Sequence, residues 1–288
     1  MTYPKKIDLH MHTVISDGTD TPSEIIEKVK EKGIELFSVT DHDAVKSSAL
    51  VKQLLKKGDP AFVPGVEFSC KDSEGRYHIL GYNYDIDAKP ITQLVNTGHN
   101  YRIEKLRKRL DFLESEFSFT FGKQDIDALF SLDNPGKPHI GNIMVKYGYA
   151  KTKEDAINNY INRFHSKNEY VKPDDAIKAI LLSNGIPVLA HPVYGRGDEL
   201  ILGEDLVYRI KKLISFGLMG VEAFYSGFTS KLQNEVLSLA EEYNLLVTAG
   251  SDYHGKNKMV TLGDTNLNSE ENYPQSLKRF IDMVYNKK

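Results

Sequence analysis

The chain has 288 residues, 40% of them hydrophobic, with a net charge of −3 and a single cysteine, Cys70. That length suits one α/β barrel, the charge argues against gripping nucleic acid by bulk electrostatics, and one cysteine excludes an internal disulfide or a Cys-rich zinc site. No apolar run approaches the roughly 20 residues that span a bilayer, and Met1 to Lys6 lacks a signal-peptide core, so a cytoplasmic protein with no membrane partner is expected.

Lys6 to Thr13 reads as a strand carrying Asp8, His10 and His12. Thr21-Pro22-Ser23-Glu24 then opens a helix: the threonine caps, the proline suits the first helical position, and Glu24 completes a capping box. Ile25, Ile26 and Val29 supply its apolar face, and Gly33 ends it. Ile34 to Thr40 is the next strand and ends at Asp41-His42-Asp43; a helix over residues 44–57 follows. Ala61 to Phe68 is a third strand carrying Glu67, and Arg76 to Tyr84 a fourth carrying His78. Strand and helix alternate, which predicts a parallel sheet or barrel.

The rhythm changes after residue 88. A long helix is expected over Ile91–Glu116, with Ile103, Leu106, Leu110, Leu113 and Phe117 at helical spacing and a solvated basic face containing Arg102, Lys105 and Arg109. Helical patterns continue at Lys123–Phe130, His139–Tyr147 and Lys153–Phe164. Residues 89–171 are therefore expected to form a helical insertion, acting as a lid, within a discontinuous barrel of residues 1–88 and 172–288. Alternation returns with helix Pro173–Asn184, strand Ile186–Ala190, helix Glu204–Phe216 and strand Met219–Phe224, which carries Glu222. Helix Ser230–Tyr243, strand Leu245–Gly250 and helix Pro274–Tyr285 close the chain.

Six of the nine histidines fall in short patches at the ends of apolar runs. The patches are Asp8-Leu9-His10-Met11-His12 with Ser16-Asp17-Gly18 after it, Thr40-Asp41-His42-Asp43, Gly65-Val66-Glu67, His78, Ala190-His191-Pro192 and Ser251-Asp252-Tyr253-His254. In α/β barrels the C-terminal strand ends meet at one mouth, so these patches should converge. His10 and His12, two apart on a strand, point to one face, and Asp252 and His254 repeat the spacing. Burying so many imidazoles and carboxylates together is costly without a cation, which predicts a cluster of divalent metals. Asp8 is expected to orient a ligand rather than to bind an ion, with Asp41 and Asp43 similar or simply turn residues.

In these motifs the sequence resembles the polymerase and histidinol phosphatase (PHP) superfamily over residues 5–88 and 172–265. Lys137-Pro138-His139-Ile140 and Gly148 resemble the insertion of a phosphoesterase subgroup. The resemblance implies a distorted (β/α)7 TIM-like barrel with three divalent metal ions. It assigns His10, His12, Glu67 and Asp252 to the first, Asp17, His42 and His254 to the second, and Glu67, His78 and His191 to the third. Asp17 stands where several members carry histidine. Six imidazoles and three carboxylates suit Mn, Fe or Zn.

The implied activity is hydrolysis of a small phosphate ester, attacked in line by a hydroxide held between two ions. Asp252 or His254 would handle the proton. Arg196, just past His191, is expected to clamp a phosphate, with Lys137 and His139 at a helix N-terminus as further phosphate contacts. The first expected substrate is a nucleotide, the 3′-phosphate of a nucleoside 3′,5′-bisphosphate such as pAp. Alternatives are a cyclic sugar phosphate, histidinol phosphate or a short oligonucleotide cut from its 5′ end. A catalytically silent metal-binding module is the reading from a different class. Tyr194, Phe224, Tyr225 and Tyr253 lie near strand ends, where base stacking and core packing are both open. No obligate protein partner is evident.

Overall fold

The computed structural model describes residues 2–165, 170–195, 199–267 and 273–286. It divides into one unit of Met1–Val95 with Val171–Lys288 and a second of Asn96–Tyr170.

The first unit is α/β. Strands β1 (Ile7–Asp8), β2 (Leu36–Phe37) and β3 (Ala61–Phe62) form one parallel sheet. Strands β4 (Gly65–Lys71), β5 (Arg76–Tyr82), β6 (Ile186–Leu189), β7 (Gly220–Tyr225) and β8 (Leu246–Gly250) form a second, in that order. β5 runs antiparallel to both β4 and β6, while β6, β7 and β8 are parallel. The all-parallel expectation fails here for a simple reason. Only residues 72–75 join β4 to β5, and a parallel return needs a crossover of a dozen residues or more.

Single backbone contacts cross the edges of the two sheets. Leu9 N–H donates to the Ala249 carbonyl at 2.9 Å, and His12 N–H to that of Tyr253 at 2.8 Å. Asp43 N–H donates to the Glu67 carbonyl at 2.9 Å. The strands at these edges are shorter than the sequence suggests. Residues 7–13 are all buried, and beyond Asp8 the ladder gives way to isolated bridges such as Met11 with Tyr253.

Helices cover the sheets with amphipathic faces. α1 (Pro22–Glu31) has the expected capping box: Glu24 N–H donates to Thr21 Oγ1, and Glu24 Oε2 accepts from Thr21 N–H at 2.7 Å. Ile25, Ile26 and Val29 are buried beneath it, each contributing about 1.5–3 kcal/mol of apolar burial. α2 (Lys46–Leu54) follows β2. α3 (Lys89–Phe117) begins in the first unit, where Ile91, Leu94 and Val95 join the core. The unit boundary therefore falls after Val95 rather than after residue 88. It falls before Val171 on the return, because Lys71 N–H donates to the Val171 carbonyl at 3.0 Å.

In the second unit, α3 is joined by α4 (Lys123–Phe130), α5 (Lys137–Lys146) and α6 (Lys153–Asn159) around Leu106, Leu113, Leu129, Ile140 and Met144. Its basic face is engaged rather than free: Lys105 lies 3.5 Å from the Tyr170 ring centre, and Lys108 pairs with Glu104. In the first unit α7 (Pro173–Leu182), α8 (Gly203–Ser215), α9 (Ser230–Glu242) and α10 (Gln275–Asn286) complete the alternation.

Candidate metal centre

Buried carboxylates pin the irregular segments that carry the histidines. Asp8 accepts from Ser251 N–H at 3.0 Å, Ser251 Oγ–H at 2.6 Å and Gly263 N–H at 2.8 Å, locking β1 to the turn after β8. Asp41 accepts from Thr13 N–H at 2.7 Å and from the Thr13 and Ser16 hydroxyls, both at 2.6 Å, fixing the loop that delivers Asp17. Charged or short neutral bonds of this length are among the stronger ones available to a fold.

Glu67, on β4 and 1% exposed, is the hub. Its Oε2 lies 3.3 Å from His10 Nε2, 3.3 Å from His12 Nε2 and 3.0 Å from His42 Nδ1. Its Oε1 lies 2.9 Å from His78 Nδ1 and 3.3 Å from His191 Nε2. Asp252 Oδ1 approaches His10 Nε2 at 3.5 Å and His12 Nε2 at 3.3 Å. Asp17 Oδ1 lies 3.3 Å from His254 Nε2, and its Oδ2 lies 3.9 Å from His42 Nε2. All nine side chains that the sequence singled out as metal candidates thus meet around Glu67 and Asp17.

The donor set fits cations better than it fits itself. His10 Nε2, His12 Nε2 and Glu67 Oε2 are buried and form no hydrogen bond, although they crowd together. Three such orphans in one place are expensive unless something shared satisfies them. Two ligand atoms held about 2.1 Å from one ion at tetrahedral to octahedral angles lie about 3.0–3.4 Å apart. The contacts of Glu67 Oε2 with His10, His12 and His42 span 3.0–3.3 Å. Three groups have ligand atoms close enough to share an ion: His12, Asp17, His42 and His254; His10, His12 and Glu67; and His42, Glu67 and His78.

Ring orientation follows from hydrogen bonds on the far side. His10 Nδ1–H donates to Glu222 Oε1 at 2.9 Å, leaving Nε2 toward the centre. His254 Nδ1–H donates to the Asp252 carbonyl at 2.9 Å, leaving Nε2 toward Asp17. Without a cation, protons take up the charge. Burial would lower His12, but the carboxylates of Asp252 and Glu67, each 3.3 Å from its Nε2, overcome it and lift the imidazole to about 10. His10 is likewise raised, against its burial, by Glu222 and Glu67. Burial wins at His42, which is pushed down to about 3. Burial works against the charged forms of Glu67, Asp17 and Asp252, yet the surrounding imidazoles hold all three well below the usual carboxylate range.

Three residues of the centre occupy left-handed backbone: Asp43 (φ 49°), His191 (φ 27°) and Asp252 (φ 58°). Such conformations persist where surrounding bonds over-determine them. Asp43 N–H binds the Glu67 carbonyl, His191 N–H binds Glu222 Oε2 at 2.9 Å, and Asp252 N–H binds the His10 carbonyl at 2.8 Å.

Sequence reasoning missed three participants. Glu222, fully buried mid-strand on β7, contacts both His10 and His191. Lys258 Nζ binds Asp252 Oδ2, and the Tyr225 hydroxyl donates to the same oxygen at 2.9 Å. The available signal for Glu222 was a lone acid inside the apolar run Gly220-Val221-Glu222-Ala223-Phe224-Tyr225, which demands a buried partner. Lys258 had none, since it reads as one more loop lysine. Of the expected phosphate contacts, Arg196 lies outside the described residues. Lys137 and His139 lie in the second unit, where Lys137 donates to Asn162 and His139 Nδ1 accepts from Gly136 N–H at 3.0 Å. The aromatics resolve toward packing: Phe224 and Tyr225 are buried in the first unit's core, and half-buried Tyr194 packs against Tyr225 and Phe228.

The chain that carries this cluster of imidazoles and carboxylates matches a known family. The PHP domain family matches residues 8–174, and the chain belongs to it. A phosphoribosyl 1,2-cyclic phosphate 1,2-diphosphodiesterase of Eggerthella lenta is 29% identical, with 86% of this chain and 94% of that one covered. A 5′-3′ exoribonuclease of Haemophilus influenzae is 26% identical, covering 90% and 93%. A 3′,5′-nucleoside bisphosphate phosphatase of Chromobacterium violaceum is 26% identical, covering 86% and 87%. The fold is shared with a Bifidobacterium adolescentis protein assigned as a metal-dependent phosphoesterase: TM-score 0.82, 24% identity, 98% of both chains covered.

Proposed function

We propose that this chain is a metal-dependent hydrolase of small phosphate esters. The observation that carries the reading is Glu67: one buried carboxylate facing five imidazoles, with its Oε2 and two ring nitrogens left without hydrogen bonds. His10, His12, Glu67 and Asp252 would hold one ion, Asp17, His42 and His254 a second, and Glu67, His78 and His191 a third. When bound, divalent ions acidify water toward neutral pH and neutralise phosphoryl oxygens. Mn, Fe and Zn all suit the donors. The crossing bonds from Leu9 to Ala249 and from Asp43 to Glu67 support reading the two sheets as a single distorted (β/α)7 barrel.

The chain's own residues set the rest. Lys258 and Tyr225 hold Asp252 Oδ2, which keeps Oδ1 directed at the imidazoles and the group ionised, as a cation ligand must be; a proton would settle on it only against those neighbours. His254 offers only Nε2, to an ion or to a proton but not to both at once, because Nδ1 is committed to the Asp252 carbonyl. Arg196 is the proposed phosphate clamp, five residues beyond His191. Among the described residues, no helix is long and apolar enough to cross a membrane.

For substrate we favour a nucleotide, first a nucleoside 3′,5′-bisphosphate, because two of the three relatives above act, by name, on nucleotides or RNA. The Eggerthella relative favours a cyclic sugar phosphate as the second reading. The test is product release from pAp, phosphoribosyl 1,2-cyclic phosphate, histidinol phosphate and a 5′-phosphorylated oligoribonucleotide by Mn-loaded protein. Chelator-sensitive release of phosphate from pAp above the others supports the first reading. Cleavage of none of them refutes the class.

A further inference from the structure

Glu222 lies outside the nine-ligand set but touches it twice. Its Oε1 accepts from His10 Nδ1–H at 2.9 Å and its Oε2 accepts from the backbone N–H of His191 at 2.9 Å. The carboxylate is fully buried, so water cannot replace either contact. The neighbouring strand leaves room for it only because position 250 is glycine. A Cβ there would fall inside contact distance of both His10 Cβ and Glu222 Oε1. Gly250 adopts no left-handed φ, so the requirement is for space.

Resting on the metal reading above, we infer that Glu222 is a positioning residue that keeps His10 Nε2 and the His191 imidazole simultaneously available to two different ions. The argument is a count of donors and acceptors. His10 must donate from Nδ1 if Nε2 is to ligate, and the left-handed His191 must donate its N–H. Both are donors, so their common partner needs two acceptor oxygens. A carboxylate has them; a carboxamide has one oxygen and one NH2. With glutamine the side chain satisfies one neighbour and opposes the other. If its NH2 faces His10, the ring is driven to carry its proton on Nε2 and cannot ligate. If it faces His191, two donors collide at a backbone already strained.

The test is Zn(II) titrated calorimetrically into chelator-stripped wild-type, Glu222→Gln, His10→Ala and doubly substituted protein, alongside metal-free melting temperatures. Losing such an outer partner typically weakens a metal site about 10–100-fold. That loss is expected for one ion in Glu222→Gln, with a metal-free melting temperature close to wild type, and the double variant should bind no worse than His10→Ala. Gly250→Ala, which crowds the same contact while removing no acceptor, should weaken the same ion if the glutamine variant does not fold. Wild-type affinity in Glu222→Gln, or losses that add fully in the double variant, would overturn the positioning role. A wild-type protein that binds neither Zn(II) nor Mn(II) would overturn the metal reading itself, a result distinct from either.

Discussion

Removing the metals should reveal a centre whose stability falls as pH rises. In the metal-free fold His12 is lifted to about 10 from 6.5, and His10 is also raised. A base raised on folding contributes stability that is complete below its unfolded value and is lost as pH climbs to the folded one. For His12 the full effect is on the order of 5 kcal/mol, released at up to about 1.4 kcal/mol per pH unit. From pH 6.5 to 8.5 this amounts to about 2–3 kcal/mol, or roughly 5–10 °C in melting temperature for a chain of this size. On the acid side the signs reverse. His42, pushed down to about 3, stays neutral while the unfolded chain takes up a proton, so stability also falls below pH 6.5. The lowered Glu67, Asp17 and Asp252 add a further loss below about pH 4. Metal loading must displace the protons on His10 and His12, so ion affinity should strengthen up to about tenfold per pH unit for each. Scanning calorimetry from pH 6.5 to 8.5, with chelator and with Mn(II), reads both trends. A chelated melting temperature that rises across that window refutes the protonation scheme.

Glu67→Gln replaces an acceptor shared by five ring nitrogens with one that can oppose them, and turnover should fall on the order of 100-fold or more in steady-state assays of loaded protein. Asp41→Asn leaves one of three donors on the Thr13–Ser16 loop facing an NH2; a loss of about 1–3 kcal/mol in denaturant unfolding is expected, together with weaker activity through Asp17. Arg196→Ala should raise KM for a phosphorylated substrate about 10–100-fold with kcat less affected, and an unchanged KM removes Arg196 from the phosphate site.

The His42, His191 and His254 patches were legible because each follows an apolar run, and strand ends are where an α/β fold gathers its chemistry; His78 instead precedes one, Ile79-Leu80. The extents of the first strands were not. Leu9, His10, Met11 and His12 are all buried, so the alternation that marks a half-exposed strand carries no information there. The direction of β5 was readable from the short 72–75 link but was masked by the regular alternation around it. Glu222 escaped because its partners, His10 and His191, lie 212 and 31 residues away, and sequence spacing says nothing of such contacts. The same holds for Lys258: its role is defined by Asp252 Oδ2 and the Tyr225 hydroxyl, which only the fold brings to it.

The most direct measurement is elemental analysis of the purified chain paired with turnover of a phosphate ester before and after chelation. The account predicts close to three transition-metal ions per chain, loss of turnover when they are removed and recovery when Mn(II) is restored. A chain that carries no such ion, yet hydrolyses the ester equally well in chelator, contradicts it.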